Sequence, residues 1–125
     1  MIDHAGIHVS DMAKAKDFYS KALAPLGYNM IAEYPEYKVA GFGEAGKADF
    51  WINADGSEQE NHVAFAAKNK AQVDGFYKEG LSAGGTDNGA PGYRKNYSPG
   101  YYAAFLKDVD GHNIEVVFHD QNPSA

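Results

Sequence analysis

Sliding the chain against itself by 58 residues brings two stretches into register without a gap, and this internal repeat limits the possible folds more than any other feature. The run HAGIHVSDMAKAKDFYSKALAPLG from His4 falls on HVAFAAKNKAQVDGFYKEGLSAGG from His62. The identities are His4/His62, Ala13/Ala71, Phe18/Phe76, Tyr19/Tyr77, Leu23/Leu81 and Gly27/Gly85. A Phe-Tyr pair and a leading His at one offset imply a duplicated unit. With 125 residues in all, each copy is too small to bury a core alone, so the two must share one.

Each copy reads as strand, helix, then two or three strands. The first strand is Ile2 to Val9, and its repeat partner is His62 to Ala67. In copy one, Ser10 or Asp11 suits a helix N-cap. Met12, Ala15, Phe18, Tyr19, Ala22, Leu23 and Leu26 then recur at three and four, the spacing of one helical face, until Gly27 stops it. In copy two Asn69 is the cap, and Val73, Phe76, Tyr77 and Leu81 form the face. The Phe-Tyr pairs read as helix–sheet packing. Strands follow at Tyr28 to Tyr34, Tyr37 to Phe42 and Ala48 to Asn53, and later at Tyr101 to Leu106 and Asn113 to His119. Asp108-Val109-Asp110-Gly111 turns the last two into a hairpin. The fold class is therefore α+β, one domain of two repeated modules, 1–55 and 60–120. Ala54 to Glu60 links them, and Gln121 to Ala125 is a frayed tail.

Composition narrows the function classes. The formal net charge is −6, which disfavours a nucleic-acid surface. No apolar stretch reaches membrane-span length, and MIDHAGIHVSD carries no signal-peptide pattern, so a cytoplasmic protein is expected. There is no cysteine, so a metal must be held by imidazole and carboxylate, and any thiol in the chemistry must come from outside. Aromatics make up 14% of the chain and nine of them are Tyr, which favours a lined pocket or interface over a plain core.

Strand alternation gathers candidate chemistry. His4 and His8 share one face of the first strand, and Glu115 and His119 share one face of the last. Glu115 interrupts the apolar run Ile114, Val116, Val117, Phe118, and a buried carboxylate needs a partner. If the modules pack by the repeat's own symmetry, His4 and His62 can converge. Two histidines and a carboxylate suit a divalent first-row metal; a His that merely caps a strand and a Glu on an edge are the alternatives. His112, in the Asp-Gly turn, is expected to be solvated.

The I-D-H start, V-S-D and F-Y on the first helix, N-H-V-A-F opening the second half and F-L-K-D-V-D-G-H-N-I-E near the end resemble the vicinal oxygen chelate superfamily. That family holds glyoxalase I, extradiol dioxygenases, fosfomycin-resistance thiol transferases and bleomycin-resistance proteins. The resemblance runs from Ile2 to His119; the family's usual Pro is Val109 here. It implies two βαβββ modules forming a cupped mixed sheet. It also implies a homodimer and a divalent ion (Fe, Mn, Zn or Ni) on His4, His62 and Glu115. Glyoxalase I adds a Glu ligand on the last strand of its first module. Here that strand reads Ala48-Asp49-Phe50-Trp51-Ile52, with Phe50 expected inward and Asp49 on the opposite face, so the fourth ligand is missing.

The remaining site candidates surround this centre. His8 and Tyr102 are candidates for acid–base work, and Phe50 for lining the first cup. Thr86 to Gly100, TDNGAPGYRKNYSPG, reads as a long loop carrying Arg94, Tyr97 and, just beyond it, Tyr101, groups that bind an anionic or oxygen-rich small molecule. Its Asn96-Tyr97-Ser98-Pro99-Gly100 run is similar to fosfomycin-resistance proteins. The resemblance thus points to a metal-dependent lyase, dioxygenase or thiol transferase, more dioxygenase- or transferase-like than glyoxalase I. The alternatives are a metal-free, ligand-sequestering protein of the bleomycin-resistance kind, and an interaction module with no small ligand.

Overall fold

The computed structural model describes residues 2–56 and 61–123. The first half contains β1 (Ala5–His8), α1 (Met12–Ala22), β2 (Asn29–Tyr34), β3 (Val39–Glu44) and β4 (Lys47–Asn53). The second contains β5 (His62–Ala66), α2 (Lys70–Ser82), β6 (Thr86–Tyr93), β7 (Tyr101–Lys107) and β8 (Asn113–His119). Each half is a four-stranded mixed sheet with one helix, in the orders β1-β4-β3-β2 and β5-β8-β7-β6. The first strand of each runs parallel to the last, and the other pairs are antiparallel. This is the α+β, two-module architecture that the repeat implies.

Local chemistry sets the helix starts. Asp11 accepts from the Lys14 amide at 3.1 Å and Asn69 from the Gln72 amide at 2.9 Å, each satisfying a first-turn donor. The first helix ends at Ala22, earlier than its apolar spacing suggests. Pro25 lies in the short 3-10 turn Ala24–Leu26 that follows, and Gly27 closes that turn at φ 79°. Phe18, Tyr19 and Phe76 are fully buried between helix and sheet, whereas Tyr77 is half-buried at the core's margin and donates to Asp87 at 3.0 Å.

The two halves share one core. The Phe65 ring of β5 meets Phe50 of β4 edge-on at 5.1 Å and Tyr28 at 5.9 Å. The turn between β7 and β8 reaches across to the first half. Tyr19 donates its hydroxyl to Asp108, and the Ser10 amide donates to Asp110 at 3.0 Å. His112 is buried, contrary to its expected solvation. Its Nδ1 accepts from the Asn61 amide at 3.0 Å, and its Nε2 donates to the His8 carbonyl. It therefore joins the end of β1 to the start of β5. The turn looks polar in sequence because its side chains satisfy one another: Asp108 also accepts from the Asp110 and His112 amides.

Thr86 to Gly100 is not one loop. Its first eight residues form β6 on β7, with register shifts between Asp87 and Gly89 and between Gly89 and Gly92. The glycines and Pro91 interrupt the side-chain alternation, as bulges on an edge strand do, which conceals the strand in sequence. The expected linker falls partly on residues 57–60, and the tail partly on 124–125, outside the described residues.

Candidate functional site

Residues opposed on neighbouring strands share a face. In the second sheet Ala64 opposes Glu115, His62 opposes Asn113 and Tyr101 opposes His119. Val63, Phe65, Ile114 and Val116 point into the core, so His62, Glu115, Tyr101 and His119 lie on the face that no helix covers.

Glu115 is 3% exposed, as its place in an apolar run suggests. Tyr101 donates its hydroxyl to Oε2, and His62 Nε2 stands 3.2 Å from Oε1. Burial and the bond to Glu115 push the Tyr101 hydroxyl up to about 12, so it remains a donor at neutral pH. His62 Nδ1 lies 2.9 Å from the Asn113 carbonyl, which can only accept. Nδ1 therefore carries the hydrogen, and in the neutral ring Nε2 turns a lone pair towards a carboxylate oxygen. Two acceptors 3.2 Å apart repel unless a cation lies between them or the ring is protonated. Ligands bound at about 2.0–2.2 Å to one tetrahedral or octahedral ion stand roughly 3 Å apart, so the pair fits two coordination positions.

Three other sequence candidates join this face. Arg94 rests over the Phe105 ring at 5.3 Å, and Phe105 opposes Glu115. Its guanidinium donates to the Gly92 and Ala90 carbonyls at 2.8 and 2.7 Å. Tyr97, 59% exposed, packs edge-on against Tyr101 at 5.0 Å, and His119 does so at 5.3 Å.

His4 does not join His62 and Glu115 within the chain. It bonds Asp3 at 2.8 Å and shares a cavity with Val63 to Ala66, whereas His112 holds the opposite end of β1 beside Asn61. Among the described residues, no three His, Asp or Glu side chains gather closely enough to hold a metal ion. The repeat's symmetry relates the two histidines without bringing them together.

Two further expectations fail on strand parity. Tyr102 is not at the site: it faces α2, where it donates to Asp74 at 2.7 Å. Phe50 does not line a cup: it is 2% exposed and packs on Tyr19 and Phe65. β1 opposes Ala5 to Phe50, Gly6 to Trp51 and His8 to Asn53. The uncovered face of the first sheet therefore carries Gly6, His8, Trp51 and Asn53. Asp49 sits at a bulge, where Phe42 opposes Phe50 but Gly43 opposes Ala48, and it accepts from Tyr28 at 2.9 Å. Phe50, Trp51 and Ile52 are all apolar, so this strand offers no alternation to read in sequence. Gly6 opposes Trp51 as Ala64 opposes Glu115, so the first module's counterpart of Glu115 is Trp51.

The sequence model of the Glyoxalase/Bleomycin resistance protein/Dioxygenase superfamily matches residues 1–116. Among curated proteins no sequence matches the chain. Among solved structures it is similar to a glyoxalase/bleomycin resistance protein from Albidiferax ferrireducens T118. That pair is 26% identical with a TM-score of 0.80, covering 96% of this chain and 99% of the other. It is also similar in fold to lactoylglutathione lyase from Agrobacterium tumefaciens. There the identity is 19% and the TM-score 0.69, covering 94% and 92% of the two chains. A Burkholderia phytofirmans PsJN enzyme of the same family name shares 18% identity at a TM-score of 0.68, covering 94% and 98%. The repeat, the paired sheets and the match over residues 1–116 agree: the chain belongs to the glyoxalase/bleomycin resistance protein/dioxygenase superfamily.

Proposed function

We propose that this protein is a divalent-metal-dependent enzyme acting on a small oxygenated molecule. The observation that carries the reading is the lone pair of His62 Nε2 set against a buried Glu115 oxygen at 3.2 Å, an arrangement that a cation relieves. His62 and Glu115 would hold the ion, with Asn113 fixing the imidazole and Tyr101 fixing the carboxylate. The third ligand, His4, would come from a second copy of the chain. In a twofold dimer the first module of each copy faces the second module of the other, giving two equivalent sites. An ion held by these residues would supply Lewis-acid chemistry to an oxygen-rich substrate. The Arg94 charge beside Phe105 favours substrates with anionic character, and Tyr97 and Tyr101 border the approach. Trp51 in the position matching Glu115 supplies neither a fourth ligand nor a base, which favours dioxygenase-like or transferase-like chemistry over that of glyoxalase I.

Metal analysis of protein purified without chelators tests the reading. About one divalent ion per chain is expected, lost in His62→Ala and in Glu115→Gln. No bound metal in the wild type would sink it. Mixing His4→Ala with His62→Ala chains tests the shared site. Random re-pairing would restore about a quarter of the sites if His4 acts across a dimer, and none if it acts within its own chain.

A second reading is ligand sequestration without a metal. The uncovered face of the first sheet favours it, because its cleft offers ring and hydrogen-bonding surface that needs no ion.

A further inference from the structure

At one point in β6 the chain is set up to react with itself. Asp87 opposes Leu106 and Gly89 opposes Phe105, which leaves Asn88 as the extra, unpaired residue of a bulge. Asn88 is exposed. Its side-chain amide reaches over β7 and donates to Asn113 Oδ1 on β8 at 3.2 Å. The chain has eight asparagines, and Asn88 alone precedes a glycine.

The backbone nitrogen of the residue after an asparagine can attack the side-chain amide carbon and close a cyclic imide. The bulge favours this attack. Gly89 has no Cβ to crowd its nitrogen, and its φ of 149° lies where other residues rarely sit. Its amide donates to Asp87 Oδ1 at 2.9 Å, which places a carboxylate to take the proton as the nitrogen attacks. Exposure lets ammonia leave and water enter.

From this geometry we infer that Asn88 is a site of spontaneous modification, where the chain converts its own amide to a carboxylate through a cyclic imide with Gly89. The Gly89 nitrogen bonds to Asn88 Cγ, the Cγ–Nδ2 bond breaks, and ammonia leaves with the Gly89 amide proton. Water then opens the imide at either carbonyl, giving aspartate or isoaspartate, with no oxidation or reduction. The product is one charge more negative. It also has no N–H to offer Asn113, whose carbonyl holds His62 Nδ1, so ageing of β6 reaches the face that carries Glu115. The inference stands apart from the metal reading, since its chemistry needs only the chain and water.

The experiment incubates the folded full chain at mildly alkaline pH and maps its peptides by mass spectrometry. Trypsin releases residues 79–94, in which Asn88 is the only asparagine. The mass shift from amide to acid, with an isoaspartate peptide beside the aspartate one, should build up at Asn88 about tenfold or more faster than at any other asparagine. Asn88→Gln should remove it, because the longer side chain closes a less favourable ring. Asp87→Ala, at an exposed residue, should slow it about tenfold or more in the folded chain and leave the rate in urea unchanged. Asn88→Asp should lower Tm by about 2–5 °C through the lost bond to Asn113. Formation of the acid in urea alone, a rate at Asn88 no higher than at the other asparagines, or an Asp87→Ala chain that ages as fast as the wild type would each overturn the proposal. An unchanged Tm in Asn88→Asp would overturn the link to Asn113. None of these readings involves bound metal, so this inference and the metal reading can each fail without the other.

Discussion

Glu115 is a buried carboxylate whose one certain donor is the Tyr101 hydroxyl. Tyr101→Phe leaves Oε2 unsatisfied and should cost about 1.5–3 kcal/mol in urea unfolding, the range for hydrogen bonds to charged groups. This residue was legible in sequence because a charge inside a four-residue apolar run has few structural explanations. Phe50 was misread because its neighbours hide the strand's parity, and the same fact hid Trp51 and Asn53. Phe50→Ala should lower stability by about 3–5 kcal/mol in urea unfolding, the cost of an emptied aromatic site in a core. An unchanged urea midpoint would return Phe50 to the uncovered face. His112 was misread for a different reason. Its partners are backbone groups at Asn61 and His8, 51 and 104 residues away, and no local pattern announces them.

At the scale of elements, helices and caps were legible because they obey local rules, whereas β6 was not. Asn69→Ala should cost about 1 kcal/mol by removing the Gln72 acceptor at the start of α2, measured by thermal melts. The second half's edge strand carries Gly89 at φ 149° opposite Phe105, and Arg94 lies close to it: a Cβ on Gly89 would stand 3.1 Å from the guanidinium. That glycine breaks the strand's alternation and lets the Arg94 side chain lie across β6. Its replacement by Val should displace Arg94 and weaken binding of anionic ligands to the second face, read as a loss of protection by inorganic phosphate in thermal melts. Pattern reading favours regular strands, and the stretch that places Arg94 is irregular because it positions a side chain.

At the scale of the whole molecule, the repeat revealed the two sheets, but not how they meet. That depends on contacts such as Phe50–Phe65 and Tyr19–Asp108, which belong to neither copy alone. Burial raises the Tyr28, Tyr101 and Tyr102 hydroxyls to about 12, reinforced by bonds to Asp49, Glu115 and Asp74, and burial with the neighbouring Asp108 raises the Tyr19 hydroxyl well above its usual value. In the unfolded chain these groups ionise near 10, so above that pH the unfolded state binds fewer protons than the folded one and stability falls as pH rises. The contribution is intact below about 10 and lost progressively towards about 12. The urea midpoint should therefore fall between about pH 10 and about pH 12, and Tyr102→Phe should make the fall shallower.

The crossing of the β7–β8 turn into the first half has a consequence for how the chain comes apart. His112 ties the end of β1 to the start of β5, and Asp108 and Asp110 hold Tyr19 and Ser10. Loosening either half strips partners from the other, so neither has a melting point of its own. Calorimetry should show one peak, with van't Hoff and calorimetric enthalpies in agreement. Fragments cut between the modules should stay unstructured until mixed, when each becomes the template on which the other folds.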